Sequence, residues 1–348
     1  MPDDRPPRPA TVSSVFRNLY ALVAAGAPRS AALLLGSRWS FGLPCPALRE
    51  ALTEYSLPFG PQDYPATVAR RTGLRIVEHT GDEQYALADH LAGGAAAVVA
   101  VDCFYLRHRP AFGRVHSART LLVRPGPGPD QVEVDDGWDP VYRGPVPWPE
   151  LQRARYSDVP LDPVREPVFA GRPTAGAWFS VQYTPTPVAE PAGWGAEFLR
   201  ELSAEAVTSG CDARGQYGLA ALLTLAEECR RAGHGDPAAR FDWARQASLL
   251  LRAELSSRVF LRVFVQAVAH WRSDPRLRTA AADYRQTLHA LERARDLLVK
   301  SLHRPELGCL DWAAEWLRSA SAGEARLVEQ IQRLPSAAAA PHHVSSRS

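Results

Sequence analysis

The chain has 348 residues, enough for one large domain or two ordinary ones, and its 46% hydrophobic and 22% charged residues are typical of a soluble globular protein. A formal net charge of +2, without a basic stripe interleaved with aromatic residues, argues against a nucleic-acid partner. The first residues lack the apolar core of a signal peptide, and no apolar run approaches the ~20 residues that span a bilayer, so we expect a cytoplasmic protein without a membrane partner.

Short apolar runs punctuated by proline and glycine fill the first half of the chain. Apolar positions three and four residues apart predict a first helix over residues 15–27, with Ser13 or Ser14 as its N-cap and an end at Gly26. The other elements predicted in this half are a second helix that runs into a Gly-broken segment over 30–43, helices over 61–73, 85–94 and 146–155, and strands over 74–79, 95–106, 118–126 and 130–138.

Helical periodicity takes over after a proline-rich segment at 165–193, which we interpret as a linker with edge strands in VFAG and AWFSVQY. The helices predicted beyond it cover residues 196–207, 218–233, 236–255, 258–271, 274–302 and 309–334. The domain organisation that follows is a disordered tail over 1–10, an α+β domain over 11–175, an α-helical domain over 176–335 and a disordered tail over 336–348.

Five scattered cysteines, without a CxxC pair, argue against both a zinc site and a disulfide framework. We expect reduced thiols, most of them buried, and neither a metal nor a cofactor.

Three segments of the first half resemble a known family. They are GSRWSFGL at 36–43, the strand–loop–strand block with its Val-Asp pair and histidines at 95–123, and the strand, Asp-Pro turn and helix start at 131–155. In order and spacing they resemble the N-terminal domain of the butirosin biosynthesis H protein family, over about residues 11–155. The helical remainder is more loosely similar to the companion domain that usually follows.

This resemblance implies a papain-like, peptidase-C39-like α+β domain with an antiparallel sheet, followed by an α-helical domain. Such domains occur in antibiotic and nonribosomal-peptide gene clusters. The resemblance also implies an acyltransferase that moves an acyl or aminoacyl group from a carrier-protein thioester to an amine. The partner would be an acyl carrier protein or its thioester-bound intermediate, and a homodimer is left open.

The resemblance implies a catalytic cysteine at the start of the first helix, a histidine opening the strand after the loop and an aspartate after the next strand. At those positions the chain has Ser13 or Ser14, then Arg119, then Asp135 or Asp136. An arginine cannot lose its proton to act as a base, so the Cys-His site looks degenerate.

One alternative is an active enzyme in which Ser13 or Ser14 is the nucleophile, His116 the base and Asp136 the orienting group. Further residues of such a binding site would be Trp39, Phe41, Asp102, Tyr105 and Arg119.

The second alternative, which we favour slightly, is an inactive homologue that binds a carrier protein, a peptide intermediate or an enzyme partner. An Arg119–Asp136 salt bridge would then preserve the shape of the site without its chemistry. Asp102 would need an arginine partner or a turn to cap, because a buried unpaired carboxylate is costly.

A third, weaker alternative is a thioester hydrolase with a relocated nucleophile such as Cys103 or Cys45, although burial beside Asp102 should raise the thiol pKa of Cys103.

Overall fold

The computed structural model describes residues 12–26, 35–36, 38–58, 73–80, 84–128, 130–183 and 191–334. The predicted α+β class is confirmed, since these residues form α-helices and two antiparallel sheets. The predicted helix over 61–73 and the predicted disordered tails lie outside the described residues, apart from Gly73.

The helices, numbered in chain order, are α1 (Ser14–Gly26), α2 (Pro46–Glu50), α3 (Gln84–Ala92), α4 (Trp148–Arg155), α5 (Pro191–Val207), α6 (Leu219–Gly233), α7 (Pro237–Trp271), α8 (Pro275–His303) and α9 (Cys309–Gln332). The strands are β1 (Gly42–Pro44), β2 (Leu74–His79), β3 (Ala97–Asp102), β4 (Ala118–Pro125), β5 (Gln131–Asp136), β6 (Tyr142–Pro147), β7 (Trp178–Tyr183), β8 (Gly210–Asp212) and β9 (Gly215–Tyr217).

The larger sheet has six strands in the order β2-β7-β3-β4-β5-β6, and every neighbouring pair is antiparallel. Strand β3 is buried on both faces, as its uninterrupted apolar run predicts. Val98 and Ala100 join the core that contains α1 and the C-terminal helices, whereas Val99 and Val101 face the cluster beneath α3 and α4. Alternation along one strand therefore divides the molecule into two layers around the sheet.

Strand β7 is an interior strand and not the edge strand that the sequence predicts, because it pairs with β2 on one side and with β3 on the other. The predicted domain boundary at residue 175 falls just before it, so the sheet extends past that boundary. The sequence does not predict strand β6, because this segment contains two prolines and a glycine. The strand can tolerate prolines because it lies at the edge of the sheet.

The smaller sheet, β1-β9-β8, joins the two halves of the chain. Gly42 and Leu43 pair with Tyr217 and Gln216, so the Gly-broken segment predicted after the second helix forms a strand. Gly36 lies so close to α7 that a Cβ atom would come within 2.6 Å of the carbonyl oxygen of Phe260. Gly36, the first residue of GSRWSFGL, is therefore required by a contact between the halves.

The helical half is built on α7, α8 and α9, which pack side by side, with α6 against α9. The two helices predicted over 236–255 and 258–271 are one continuous helix of 35 residues. No glycine or proline interrupts it, and the hydroxyl of Ser256, near the predicted break, donates to the carbonyl of Arg252 at 2.7 Å within the helix.

None of the helices in the described part of the chain is both long enough and apolar enough to cross a bilayer.

Candidate functional site

Helix α1 begins against the sheet, but both serines at its start are buried. The hydroxyl of Ser14 accepts a 2.9 Å hydrogen bond from the N–H of Thr120 in β4. The N–H of Ser13 donates to the hydroxyl of Ser256 at 2.8 Å, whereas the hydroxyl of Ser13 has no hydrogen-bond partner in the described structure. Ser13 directly precedes the first residue of α1, as predicted for an N-cap, but neither described hydroxyl accepts an N–H of the helix.

The group that meets the helix start is the carboxylate of Glu54. One of its oxygens accepts the N–H of Ser14 at 3.1 Å, and the other lies 2.6 Å from Nε of Arg252. A helix N-terminus favours a negative charge, and Glu54 places one there. No sequence signal marks this residue, because an isolated acid in the segment TEYS matches no motif.

Arg119 binds aromatic rings and forms no salt bridge with Asp136. Its guanidinium carbon lies 4.6 Å from the ring centre of Trp138 and 4.9 Å from that of Phe169, within cation–π range. The register of β4 and β5 pairs Leu122 with Asp135, so Arg119 is level with Trp138, beyond the end of β5. This register explains why the predicted salt bridge does not form.

Asp136 is instead held by the loop between β3 and β4. Its carboxylate lies 3.1 Å from Arg109 and 3.3 Å from Nε2 of His108, and it accepts the N–H of Trp138 at 3.2 Å. The ring of His108 stacks on Tyr142 at 4.2 Å. Asp136 is therefore paired with His108 and not with His116, so the predicted Ser-His116-Asp136 arrangement does not form.

His116 is paired with Asp102, at the end of β3. One Asp102 oxygen accepts from Nδ1 of His116 and from the hydroxyl of Ser157, both at 2.6 Å. The other accepts the N–H groups of Phe104 and Ser117, each at 3.0 Å. The prediction that Asp102 must be paired or capping holds, but its partner is a histidine and not an arginine.

The pairing with Asp102 fixes how His116 can act. Because Nδ1 donates to Asp102, a neutral His116 has Nε2 as its basic nitrogen. The ring stacks on Phe104 at 4.0 Å, Tyr105 approaches it edge-on at 6.1 Å, and 23% of the side chain is exposed. In the described part of the chain, no hydrogen bond joins either serine to His116.

Cys103 is buried beneath this site. Burial, above all, raises the pKa of its thiol to about 11, and Asp136 and Asp102 act in the same direction against Arg119 and Arg109. A thiol of this kind is a poor nucleophile near neutral pH, which argues against a nucleophile relocated to this position.

Two of the residues predicted to bind a ligand are core residues. The indole N–H of Trp39 donates to the buried carboxylate of Glu324, and Trp39 is only 1% exposed. Phe41 is equally inaccessible and lies 5.6 Å below the guanidinium of Arg258. Both tie the segment before β1 to the helical half and do not face solvent.

The described residues contain no group of three or more His, Cys, Asp or Glu side chains arranged to hold a metal ion. The described site contains two histidines paired with aspartates, His116 and His108, two buried serine hydroxyls and an arginine at the start of β4.

In comparisons with known proteins, no family model matches this chain, and no curated protein matches it significantly.

Proposed function

We propose that this chain is a cytoplasmic, butirosin-H-like protein that binds an acyl or aminoacyl thioester on a carrier protein without forming an acyl-enzyme. In this proposal its first domain has the papain-like, C39-like fold, and its Cys-His site has become a structural contact. It would act in secondary-metabolite biosynthesis as an inactive homologue.

The observation that carries this proposal is the hydrogen bond from the N–H of Thr120 to the hydroxyl of Ser14. A serine nucleophile needs an adjacent base that accepts its proton. The hydroxyl of Ser14 is buried against β4, the nearby strand residue is Arg119, and the helix start is already neutralised by Glu54. All three features oppose formation of a nucleophile at this position.

The packing of α1 supports the fold part of the proposal. The helix contacts β3, β4 and β7, and its first turn meets β4 at the residue after Arg119. The resemblance requires a first helix whose N-terminus points at the strand after the loop, and α1 meets this requirement.

The proposal is tested with an acyl carrier protein loaded with an acyl thioester. Intact-mass analysis of the chain after incubation should show no acyl adduct, and titration calorimetry should show binding of an acyl carrier protein that bears a non-hydrolysable thioether in place of the thioester. The unloaded carrier protein is the matched control for the acyl group. An adduct on the wild-type chain, or no binding of either carrier protein, would refute the proposal.

A second candidate function is acyl transfer with His116 as the general base. The observation that favours it is the 2.6 Å contact between Nδ1 of His116 and the carboxylate of Asp102, on a side chain that is still 23% exposed. In such a reaction Nε2 of His116 takes a proton from the acceptor amine while the amine attacks the thioester carbonyl. The C–S bond breaks, the carrier thiolate leaves, and it takes up the proton from His116.

The second candidate predicts release of a free carrier thiol together with an amide, in a single step without an adduct. His116→Gln should abolish the release, whereas His108→Gln, the control at the other Asp-paired histidine, should retain it. If wild type and His116→Gln release thiol at the same rate, this candidate is excluded.

A further inference from the structure

A cavity of about 370 Å³ lies between the two halves of the chain. Val168 and Phe169 of the segment before β7 form one wall, and residues of α7 and α8 form the rest. The volume is at the lower end of the range for small-molecule sites. No sequence motif lies in this cavity, and the proposed carrier-protein binding assigns no role to it.

Three of the described residues that line the cavity are cations. Arg252, Arg295 and Lys300 outnumber the single carboxylate among the described lining residues, that of Asp296, which pairs with Arg295 at 2.7 Å. Lys300 is the only lysine of the chain, and it lies exposed at the rim together with Asp296. The lining therefore favours a negatively charged occupant.

Among these cations, Arg252 is the buried one. It is 6% exposed, its Nε is paired with Glu54, and its NH2 group has no hydrogen-bond acceptor within the described structure. A buried guanidinium N–H group without an acceptor is costly, and because Arg252 lines the cavity, an anion bound there would supply an acceptor.

A second guanidinium lies close by. Arg119 and Arg252 each lie within about 5 Å of the same two rings, those of Trp138 and Phe169. Burial, first of all, lowers the pKa of Arg252, and the positive charges of Arg119 and Arg295 lower it further against the effect of Glu54. An anion bound here would relieve this repulsion.

The remaining lining gives the occupant an apolar part. Val168, Phe169 and the side chain of Val299 bring hydrocarbon into the same cavity as the cations. We propose that this cavity binds a small amphipathic anion, with a carboxylate or phosphate head at Arg252 and Lys300 and a hydrocarbon body against Phe169. The site is independent of the carrier-protein proposal, since it requires neither a carrier nor a family relationship.

The test is calorimetric titration of the full chain at constant ionic strength with hexyl phosphate, hexanoate, inorganic phosphate and acetate. The hexyl compounds should bind more tightly than the anions without a chain, because only they bury hydrocarbon. The difference between hexyl phosphate and hexanoate identifies the preferred head group. Hexylamine, which has the same chain and the opposite charge, should not bind.

Variants of opposite expected effect identify the site. Lys300→Gln should weaken binding of the better hexyl anion up to about fivefold, and Asp296→Asn should strengthen it about twofold, as expected for exposed charges. Arg293→Gln removes a cation from an exposed position of α8 outside the cavity lining and should leave the affinity unchanged.

Arg252→Lys keeps a charge beside Glu54 but removes the guanidinium fork, and it should weaken binding about tenfold or more while the thermal midpoint reports whether the chain remains folded. The proposal is overturned if none of the four anions binds, if hexylamine binds equally well, or if Lys300→Gln and Asp296→Asn both retain the wild-type affinity.

Discussion

At the scale of single residues, Glu54 decides what the start of α1 can do. Its carboxylate receives the N–H of Ser14 and the guanidinium of Arg252, so a fixed negative charge already occupies the helix end. A second charge generated on Ser14 would have to form beside it. The environment therefore favours a neutral hydroxyl that only accepts a hydrogen bond.

Ser14→Ala should lower the free energy of unfolding by about 1–3 kcal/mol, because it leaves the buried N–H of Thr120 without an acceptor. Urea denaturation measures this change. Ser319→Ala, at an exposed position in α9, is the control and should be neutral or slightly stabilising. Equal stability of Ser14→Ala and wild type would show that the hydrogen bond to Thr120 contributes nothing.

The cysteines should differ widely in reactivity. Burial raises the pKa of Cys103 to about 11 and that of Cys229 to about 12. At pH 8 a thiol of pKa 11 is ionised about a hundredfold less than one of pKa 9, and access is blocked as well. Cys211, which is exposed in β8, should be alkylated first.

Mass spectrometry after a short exposure to iodoacetamide measures this difference, and the urea-unfolded chain, in which all five cysteines should react, is the control. Rapid labelling of Cys103 in the folded chain would contradict the assigned burial.

At the scale of elements, the helix starts of the C-terminal half follow local rules. Asp236 accepts the N–H groups of Ala238 and Ala239, and Asp274 does the same for Arg276 and Leu277. In each case a proline follows the aspartate at the first helical position, where its missing N–H costs nothing. The Asp-Pro pairs therefore place the starts of α7 and α8 correctly from the sequence alone.

Asp236→Ala and Asp274→Ala should each lower the free energy of unfolding by about 1 kcal/mol, through loss of the N-cap hydrogen bonds. The shift in the thermal midpoint measures this effect. Asp283→Ala, at an exposed position inside α8, is the control and should change stability by less than about 0.5 kcal/mol. A similar shift for all three variants would mean that the aspartates act through general charge and not as caps.

At the scale of the whole molecule, a buried polar network joins the two halves. Glu324 of α9 accepts from Trp39, from Tyr284 at 2.7 Å and from Arg258 at 3.3 Å. Trp39 precedes β1, whereas Tyr284 belongs to α8 and Arg258 to α7. One carboxylate thus connects four distant segments, and the hydrophobic core around it is also continuous across both halves.

Glu324→Gln should lower the free energy of unfolding by about 3 kcal/mol, because it leaves the buried charge of Arg258 with less compensation. Both halves should still unfold in one transition, as measured by urea denaturation followed through tryptophan fluorescence and circular dichroism. Glu329→Gln, which removes an exposed partner of Arg333, should cost less than about 1 kcal/mol. Two separate transitions in the wild type would contradict the shared core.

How much the sequence predicts depends on whether a feature is local. Strands β3, β4 and β5, helix α4 and the C-terminal helices, apart from the break predicted within α7, are correctly predicted, since apolar periodicity and turn residues lie within each segment. The candidate site was predicted only in part. The sequence marks Asp102 and His116 as site residues but does not predict that they pair. The conformation of the loop between them brings Nδ1 of His116 to the Asp102 carboxylate.

The sequence alone determined the α+β class and the helical second half. It also determined that serines stand at the start of α1 and an arginine at the start of β4, where the resemblance implies a cysteine and a histidine. Only the tertiary structure decided that β7 lies inside the sheet, that Glu54 meets α1 and that Arg119 lies over Trp138 and Phe169. The physical reason is that secondary structure follows from side chains a few residues apart. The partners of a buried charge are set by strand register and by packing between segments distant in the chain.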